Sequence, residues 1–439
     1  MHYKEKQLTF GNKGHFLNTT QCFSPDGQWV VYDTRNDDTQ IGSTGSIEMV
    51  NVNTGEIKEL YHTQNQSEHG PGVGAVTFSP VKNRVIFIHG IGNATQQNPY
   101  SFSRRTGVAI DVDQPNIPHF MDARCITEPF IPGALRGGTH AHIWSADGQW
   151  LSFTYNDYVI EQLSNINPAI KDLRTVGVMF PSPVFVPDDK DGENNSGEMY
   201  AVTIAKVAEN PRPGSDDIDK AFDEAWIGEN GYLKTDGTRQ KRAIAFQGNV
   251  INEQGHTKTE VFVADLPDNL TQAQGKQPLE GTATSRPGVP LGVTQRRITF
   301  TGMGIVGPRH WLKTTPDGDL ICFLSKDGLG FINIFGVHPN GGSVKQLTFN
   351  QFDVQSGFNI SPDGKLLAYI ADDSIIISDI LSGKSNKIST QKKPIGKVVW
   401  SPDGKILVFN SYIKKDDQSY FQIILLYKIN RHRSRLSID

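Results

Sequence analysis

Ser361-Pro362-Asp363-Gly364-Lys365-Leu366-Leu367-Ala368-Tyr369 joins a four-residue turn phrase to an apolar, aromatic run. The phrase recurs as Ser24-Pro25-Asp26-Gly27, Ser145-Ala146-Asp147-Gly148, Thr315-Pro316-Asp317-Gly318 and Ser401-Pro402-Asp403-Gly404, with a reduced copy at Ser79-Pro80. Pro presets φ for the turn, Asp caps it and Gly takes the position with φ > 0, so each phrase closes a hairpin. The segments that follow, such as Trp29-Val30-Val31-Tyr32, Val85-Ile86-Phe87-Ile88 and Ile406-Leu407-Val408-Phe409, have the β-branched and aromatic composition of strands. Strand, turn and strand repeated at intervals of roughly 40 to 65 residues predicts a β-propeller.

Six turn phrases give six blades. The gap between Gly148 and Thr315 holds further strand-like segments at 199–207, 243–247 and 260–266, so the expectation is an all-β, seven-bladed propeller. Lys345-Gln346-Leu347-Thr348-Phe349 and Arg297-Ile298-Thr299-Phe300 mark outer strands, and the same wording, Lys6-Gln7-Leu8-Thr9-Phe10, opens the chain. Pairing this opening strand with the last blade closes the ring and removes exposed sheet edges. The chain reads as one propeller over 1–430, followed by a tail at 431–439. Residues 211–228 read as a short helical insertion in blade four, with Ser215 as N-cap and Ile218, Ala221, Phe222, Ala225 and Trp226 as one apolar stripe. Residues 183–197, carrying Asp188, Asp189, Asp191 and Glu193, read as an exposed acidic loop without EF-hand spacing.

With 43 basic against 47 acidic residues, the chain shows no cationic footprint for nucleic acid or an anionic membrane. No apolar run approaches the length of a membrane span, and Met1-His2-Tyr3-Lys4-Glu5-Lys6 lacks the apolar core of an export signal. A cytoplasmic protein is therefore expected. Three cysteines, Cys22, Cys125 and Cys322, are an odd number and argue against a disulfide framework.

In a propeller the inner strand of each blade runs along the central channel, and here it leads into the turn phrase. Five residues ahead of that phrase stand Thr19, Gly74, His140, His310, Ser356 and Gly396, so two histidines share an equivalent inner position. His142 follows His140 by two residues, which strand alternation places on the same face; His69 and His15 enter near the channel mouths. Converging neutral imidazoles suit a divalent metal such as manganese, zinc, iron or nickel. His69, His140, His142 and His310, with Gln355 as an additional oxygen ligand, are the expected metal set; the alternative is that each histidine bonds to water or backbone in a polar channel. Arg136, in Leu135-Arg136-Gly137-Gly138, and Arg309, in Pro308-Arg309-His310-Trp311, are candidates to grip a carboxylate or phosphate bidentately, the alternative being pairing with Asp between blades. Arg105 and Arg124 are lesser candidates, and Tyr155 follows the second strand of blade three toward the same rim. No G-x-S-x-G elbow, P-loop, dinucleotide fingerprint or C-x-x-C pair occurs.

The Ser-Pro-Asp-Gly strands with their Gln-Leu-Thr outer strands resemble the TolB-type propeller repeat across nearly the whole chain. Leu135-Arg136-Gly137-Gly138-Thr139-His140, Phe153-Thr154-Tyr155-Asn156-Asp157, Pro213-Gly214-Ser215-Asp216, Gln295-Arg296-Arg297-Ile298-Thr299-Phe300 and Pro308-Arg309-His310-Trp311 resemble a bacterial propeller family that carries only a domain-of-unknown-function label. More distantly, the architecture is similar to oligogalacturonate lyase, a cytoplasmic seven-bladed propeller enzyme with a histidine-ligated divalent metal. That family uses Gln-x-x-His-x-His; here His140-Ala141-His142 supplies the second half, and Gly137 stands where the glutamine would be. The resemblance implies a metal-assisted lyase on acidic, uronate-containing oligosaccharides, with His140, Arg136, Arg309 and Tyr155 as catalytic candidates. The alternatives are a non-catalytic TolB-like propeller binding a protein or small ligand, and a sugar hydrolase, lactonase or epimerase.

Overall fold

Each turn phrase folds into the same hydrogen-bonded knot. In the first, Ser24 Oγ donates to Asp26 Oδ1 (2.5 Å) and accepts from the Trp29 amide (3.0 Å), while Gly27, at φ 69°, returns its amide to Ser24 O. The phrases at Ser145, Thr315, Ser361 and Ser401 repeat the hydroxyl-to-aspartate bond at 2.5 to 2.7 Å. Each turn thereby joins an innermost strand to the second strand of its sheet.

The computed structural model describes residues 2–429, in which seven antiparallel sheets follow one another along the chain as the blades of a propeller, beside two small two-stranded sheets. Blades two to six each have four strands taken in chain order from the channel outward. Blade three, for example, runs Gly137–Trp144, Leu151–Asp157, Thr175–Val184 and Gly197–Thr203. The seventh sheet takes Ile395–Trp400, Ile406–Lys415 and Gln418–Ile429 and adds His2–Gln7 as its outer strand, in register from His2 opposite Ile429 to Gln7 opposite Ile424. This is the ring closure expected from the opening words of the chain. The tail at 431–439 lies outside the described residues. The core is built blade upon blade: Val31, Ile47 and Met49 of the first pack with Val73, Phe78, Val85 and Phe87 of the second.

Two sequence readings are corrected. The stretch at 211–228 is no helical insertion; Ile218–Trp226 is the inner strand of blade four. Two register shifts, between Ile218 and Ala221 and between Phe222 and Ala225, stretch its buried spacing from two residues to three or four, which mimics a helical stripe. A helix does occur at Tyr158–Ile166, capped by Asp157, whose carboxylate accepts from the Ile160 amide. Nor is 183–197 wholly exposed: Glu193 is buried and paired with Arg104 (2.6 Å) and Arg124 (3.1 Å).

Blade one departs from the repeat. Its inner segment forms no regular strand and pairs with the sheet through isolated bridges of Phe16 to Asp33 and Phe23 to Val30. Between them the chain swings inward, with Gln21 at φ 50°. Gln21 exchanges two hydrogen bonds with the Trp144 backbone of blade three, and Thr19 O accepts from Lys313 of blade five (3.2 Å) and Asn359 of blade six (3.0 Å). Thr19-Thr20-Gln21 thus crosses the channel axis close to the turn-bearing end. The channel is a cup with this crossing as its floor.

Candidate active site at the channel mouth

The inner strands carry bulges at a common level, at Ala75 (φ 56°), Ala141 (φ 60°), Asp223 (φ 50°) and Gly396 (φ 78°). A bulge ends strict alternation, so His140 and His142 do not share an environment. His142 turns into the joint between blades two and three, where its Nε2 meets Thr139 Oγ1 at 3.0 Å and Thr139 donates to Asp122. Burial takes this imidazole down to about 3. His140 stays beside Phe102, with Arg105, Arg174 and Arg309 in its field. Its Nε2 is buried without a hydrogen-bond partner, and burial, then Arg105 and Arg174, hold it well below the usual imidazole range.

The other expected ligands are engaged or elsewhere. His310 accepts from the Leu324 amide at Nε2 (3.1 Å) and therefore carries its proton on Nδ1, which faces Pro308 O (2.9 Å). Both its nitrogens serve blade five. His69 sits on a loop beside Glu68, and Gln355 is exposed, its Oε1 3.5 Å from the Asp373 amide. His15 bonds Phe421 O at 3.1 Å. Among the described residues no three His, Cys, Asp or Glu side chains gather as a metal site. The one expected ligand with an unpartnered nitrogen, His140, is buried among guanidinium groups, which disfavour a second cation electrostatically. The donor set does not fit a divalent metal.

Arg136 and Tyr155 are corrected as well. Arg136 is fully buried, 2.7 Å from Asp157, and donates to Ser285 O (2.9 Å) and Thr282 O, clamping the 282–285 loop onto blade three. Tyr155 accepts the Arg136 amide at 3.1 Å, and its buried hydroxyl is pushed well above the usual phenol range, mainly by desolvation. Both build the wall.

The cations free to meet a ligand are others. Arg105 begins the third strand of blade two, Arg174 precedes the third strand of blade three, and Arg309 leads into blade five. Arg105 donates only from Nε, to Ser101 O (3.2 Å), and Arg174 only to Asn156 Oδ1 (3.1 Å). Neither makes an ion pair among the described residues. Their guanidinium carbons lie 4.4 and 5.1 Å from the centroid of the half-exposed Phe102 ring. Burial and the neighbouring Arg174, Arg35 and Arg309 lower Arg105 to about 10. Arg309 is partly neutralised by Asp223 (3.1 Å), yet 63% of its side chain is exposed. Arg174, Lys220, Gln247 and Arg309 line a cavity of about 330 Å³ at this mouth. Fully buried Glu224, also in the field of Arg174, is raised to about 8 by desolvation. Sequence reasoning missed Arg174, Lys220 and Glu224, since Arg174 carries no motif and Lys220 and Glu224 lay in the supposed helix.

The comparisons with known proteins match this architecture. The family model "Protein of unknown function (DUF3748)" matches residues 72–194, which include Arg105, His140 and Arg174. A relative from Escherichia coli (strain K12), "Uncharacterized protein YidR", is 37% identical over 416 residues, covering 92% of this chain and 94% of its own. The chain belongs to the YidR family. Among solved structures, it is similar to puromycin hydrolase (10% identity, TM-score 0.54), over 94% of this chain and 51% of that one. It is also similar to oligogalacturonate lyase in complex with manganese (12%, TM-score 0.46, 96% and 92%) and to TolB from Acinetobacter baumannii (14%, TM-score 0.36, 92% and 81%). At such identities the likeness speaks for the fold alone. No described helix is long and apolar enough to cross a membrane.

Proposed function

We propose that this YidR-family propeller binds the carboxylates of an acidic oligosaccharide at the channel mouth and acts there as a β-eliminating lyase. The observation that supports it is the pair of guanidinium groups, Arg105 and Arg174, without carboxylate partners beside the unpartnered Nε2 of His140. An uncompensated cationic cluster in which Arg105 is buried and Arg174 partly exposed favours an anion, and arginine presents a planar fork to a carboxylate.

In this reading Arg105, Arg174 and Arg309 neutralise the uronate carboxylate and so acidify the adjacent C–H. His140, kept neutral by burial and by the surrounding cations, accepts that proton at Nε2. As the carbon–carbon double bond forms, the bond to the β-oxygen breaks, and the leaving oxygen takes a proton from water. The arginines take the charge-neutralising role expected of a metal. The exposed face of Phe102, backed by two guanidinium groups, offers a platform for a sugar ring. The three buried, free cysteines suit the reducing cytoplasm, where we place the protein.

The test is incubation of wild type, His140→Gln and Arg105→Met with uronate oligomers, following the ultraviolet absorbance of the conjugated unsaturated product. Product from wild type, with at least tenfold less from either variant, supports the lyase. Binding without product in wild type turns the reading to a carbohydrate-binding propeller.

A further inference from the structure

Below the mouth, two lysines reach into the cup from inner strands. Lys313 belongs to blade five and Lys397 to blade seven, and both keep some accessible surface. Lys313 Nζ donates to Thr19 O of the blade-one crossing at 3.2 Å. Lys397 Nζ lies 4.3 Å from the centroid of the Phe16 ring, which also carries Arg35 at 4.4 Å. Neither lysine forms an ion pair among the described residues. The carboxylates in the field of Lys397 are Asp38, which is exposed, and Asp33, which is committed to Arg35 (2.7 and 2.8 Å) and to the Ala75 amide (2.8 Å). Lys313 stands in the field of the Lys397 ammonium group. Burial and the Lys397 charge draw Lys313 down to about 7, and burial and the Arg35 charge draw Lys397 down to about 8.

We propose that Lys313 and Lys397 form a second anion-binding subsite on the floor of the cup, taking one oxyanion group, a phosphate or a carboxylate. Two like charges drawn out of water without a counter-charge are costly, and an oxyanion between them supplies that counter-charge. An ammonium carries three donors, and Lys313 spends one of them on Thr19, so donors remain for a ligand. The ligand's source is either a free inorganic anion or the second anionic group of an extended ligand whose first group sits at the mouth. The subsite stands on these lysines and not on the lyase reading.

The experiment titrates the full chain with inorganic phosphate by thermal shift, comparing wild type, Lys313→Met, Lys397→Met and Arg105→Met. Wild type should be stabilised saturably, and each lysine variant should bind phosphate at least tenfold more weakly, a larger loss than that in Arg105→Met, which affects the mouth alone. Unchanged phosphate affinity in the lysine variants, or no saturable shift in wild type, overturns the proposal. Acylation of the unmutated protein, read by mass spectrometry, guards against a folding defect. Phosphate should protect Lys313 and Lys397 but not the exposed Lys414, and equal labelling with and without phosphate contradicts the subsite. Titration with a uronate oligomer separates the sources. Weaker binding in both the lysine variants and Arg105→Met identifies an extended ligand, whereas weakening in Arg105→Met alone identifies the floor as a site for free anions.

Discussion

Arginines serve two opposite purposes in this propeller. At the joint of blades two and three, Arg104 and Arg124 close on Glu193, and in blade three Arg136 closes on Asp157; every one of these charges is buried and matched. At the channel mouth Arg105 and Arg174 are held by one neutral acceptor each, with aromatic faces beside them and no carboxylate paired to either. The matched set fixes loops to blades and has no donor to spare for a ligand. The unmatched set costs the fold something and keeps its donors, the arrangement expected where binding is the purpose.

Breaking the matched set should have the largest effect on stability. Arg136→Ala leaves Asp157 buried without its partner and is expected to cost about 3–5 kcal/mol, read from chemical denaturation. Glu193→Ala strands two guanidinium groups and should cost a similar amount. Arg105→Met, by contrast, removes a charge that has no partner, so stability should hold or rise by about 1 kcal/mol while affinity for an acidic sugar falls at least tenfold. A large loss of stability in Arg105→Met would erase the distinction between the two sets.

Acid and base sharpen the comparison through two glutamates. Glu193, held down to about 2 by its arginines against the burial that opposes them, contributes stability that is whole above its ordinary 4.5 and lost as pH falls toward 2. Glu224, raised to about 8 by burial, has the reverse sign: its contribution is whole below 4.5 and is lost as pH rises toward 8. Glu224→Gln should flatten the alkaline decline by up to about 1.4 kcal/mol per pH unit across that window, measured by denaturation at a series of pH values. An unchanged slope would mean that Glu224 does not titrate there. A smaller effect than that of Arg136→Ala belongs to Arg309→Met, because the Arg309 end of its pair with buried Asp223 is exposed and water can reach it, so the loss should stay below about 3 kcal/mol.

The fold was legible because it is written locally. Ser, Pro, Asp and Gly at fixed offsets make the same turn wherever they occur, and Lys6-Gln7-Leu8 repeats the outer-strand wording in a place where only ring closure can use it. The site was legible only in part. Of the histidines chosen by offset along an inner strand, His140 keeps an unpartnered Nε2, whereas His142 and His310 are consumed by Thr139 and by the backbone of blade five. Offset along a strand predicts level in the channel; it does not predict which way a bulged strand turns the side chain. Arg136 and Arg309 looked alike, each set among glycine and proline and each paired with a buried aspartate, and what separates them is that the Arg136 side chain is fully buried whereas most of Arg309 is exposed. Arg174 had no motif to announce it, because a lone arginine before a strand gains meaning only when three blades bring their cations to one mouth. The inner strand of blade four was lost for a related reason: bulges changed its period, and period was the only signal available.

The most direct test of the central claim is calorimetric titration of the protein with a uronate trisaccharide and with its fully methyl-esterified form, in wild type and in Arg105→Met/Arg174→Met. If the unmatched arginines read a carboxylate, the acid binds wild type at least tenfold more tightly than the ester, and the difference disappears in the double variant. Equal binding of acid and ester to wild type, or a preference for the acid that survives loss of both arginines, would contradict the account.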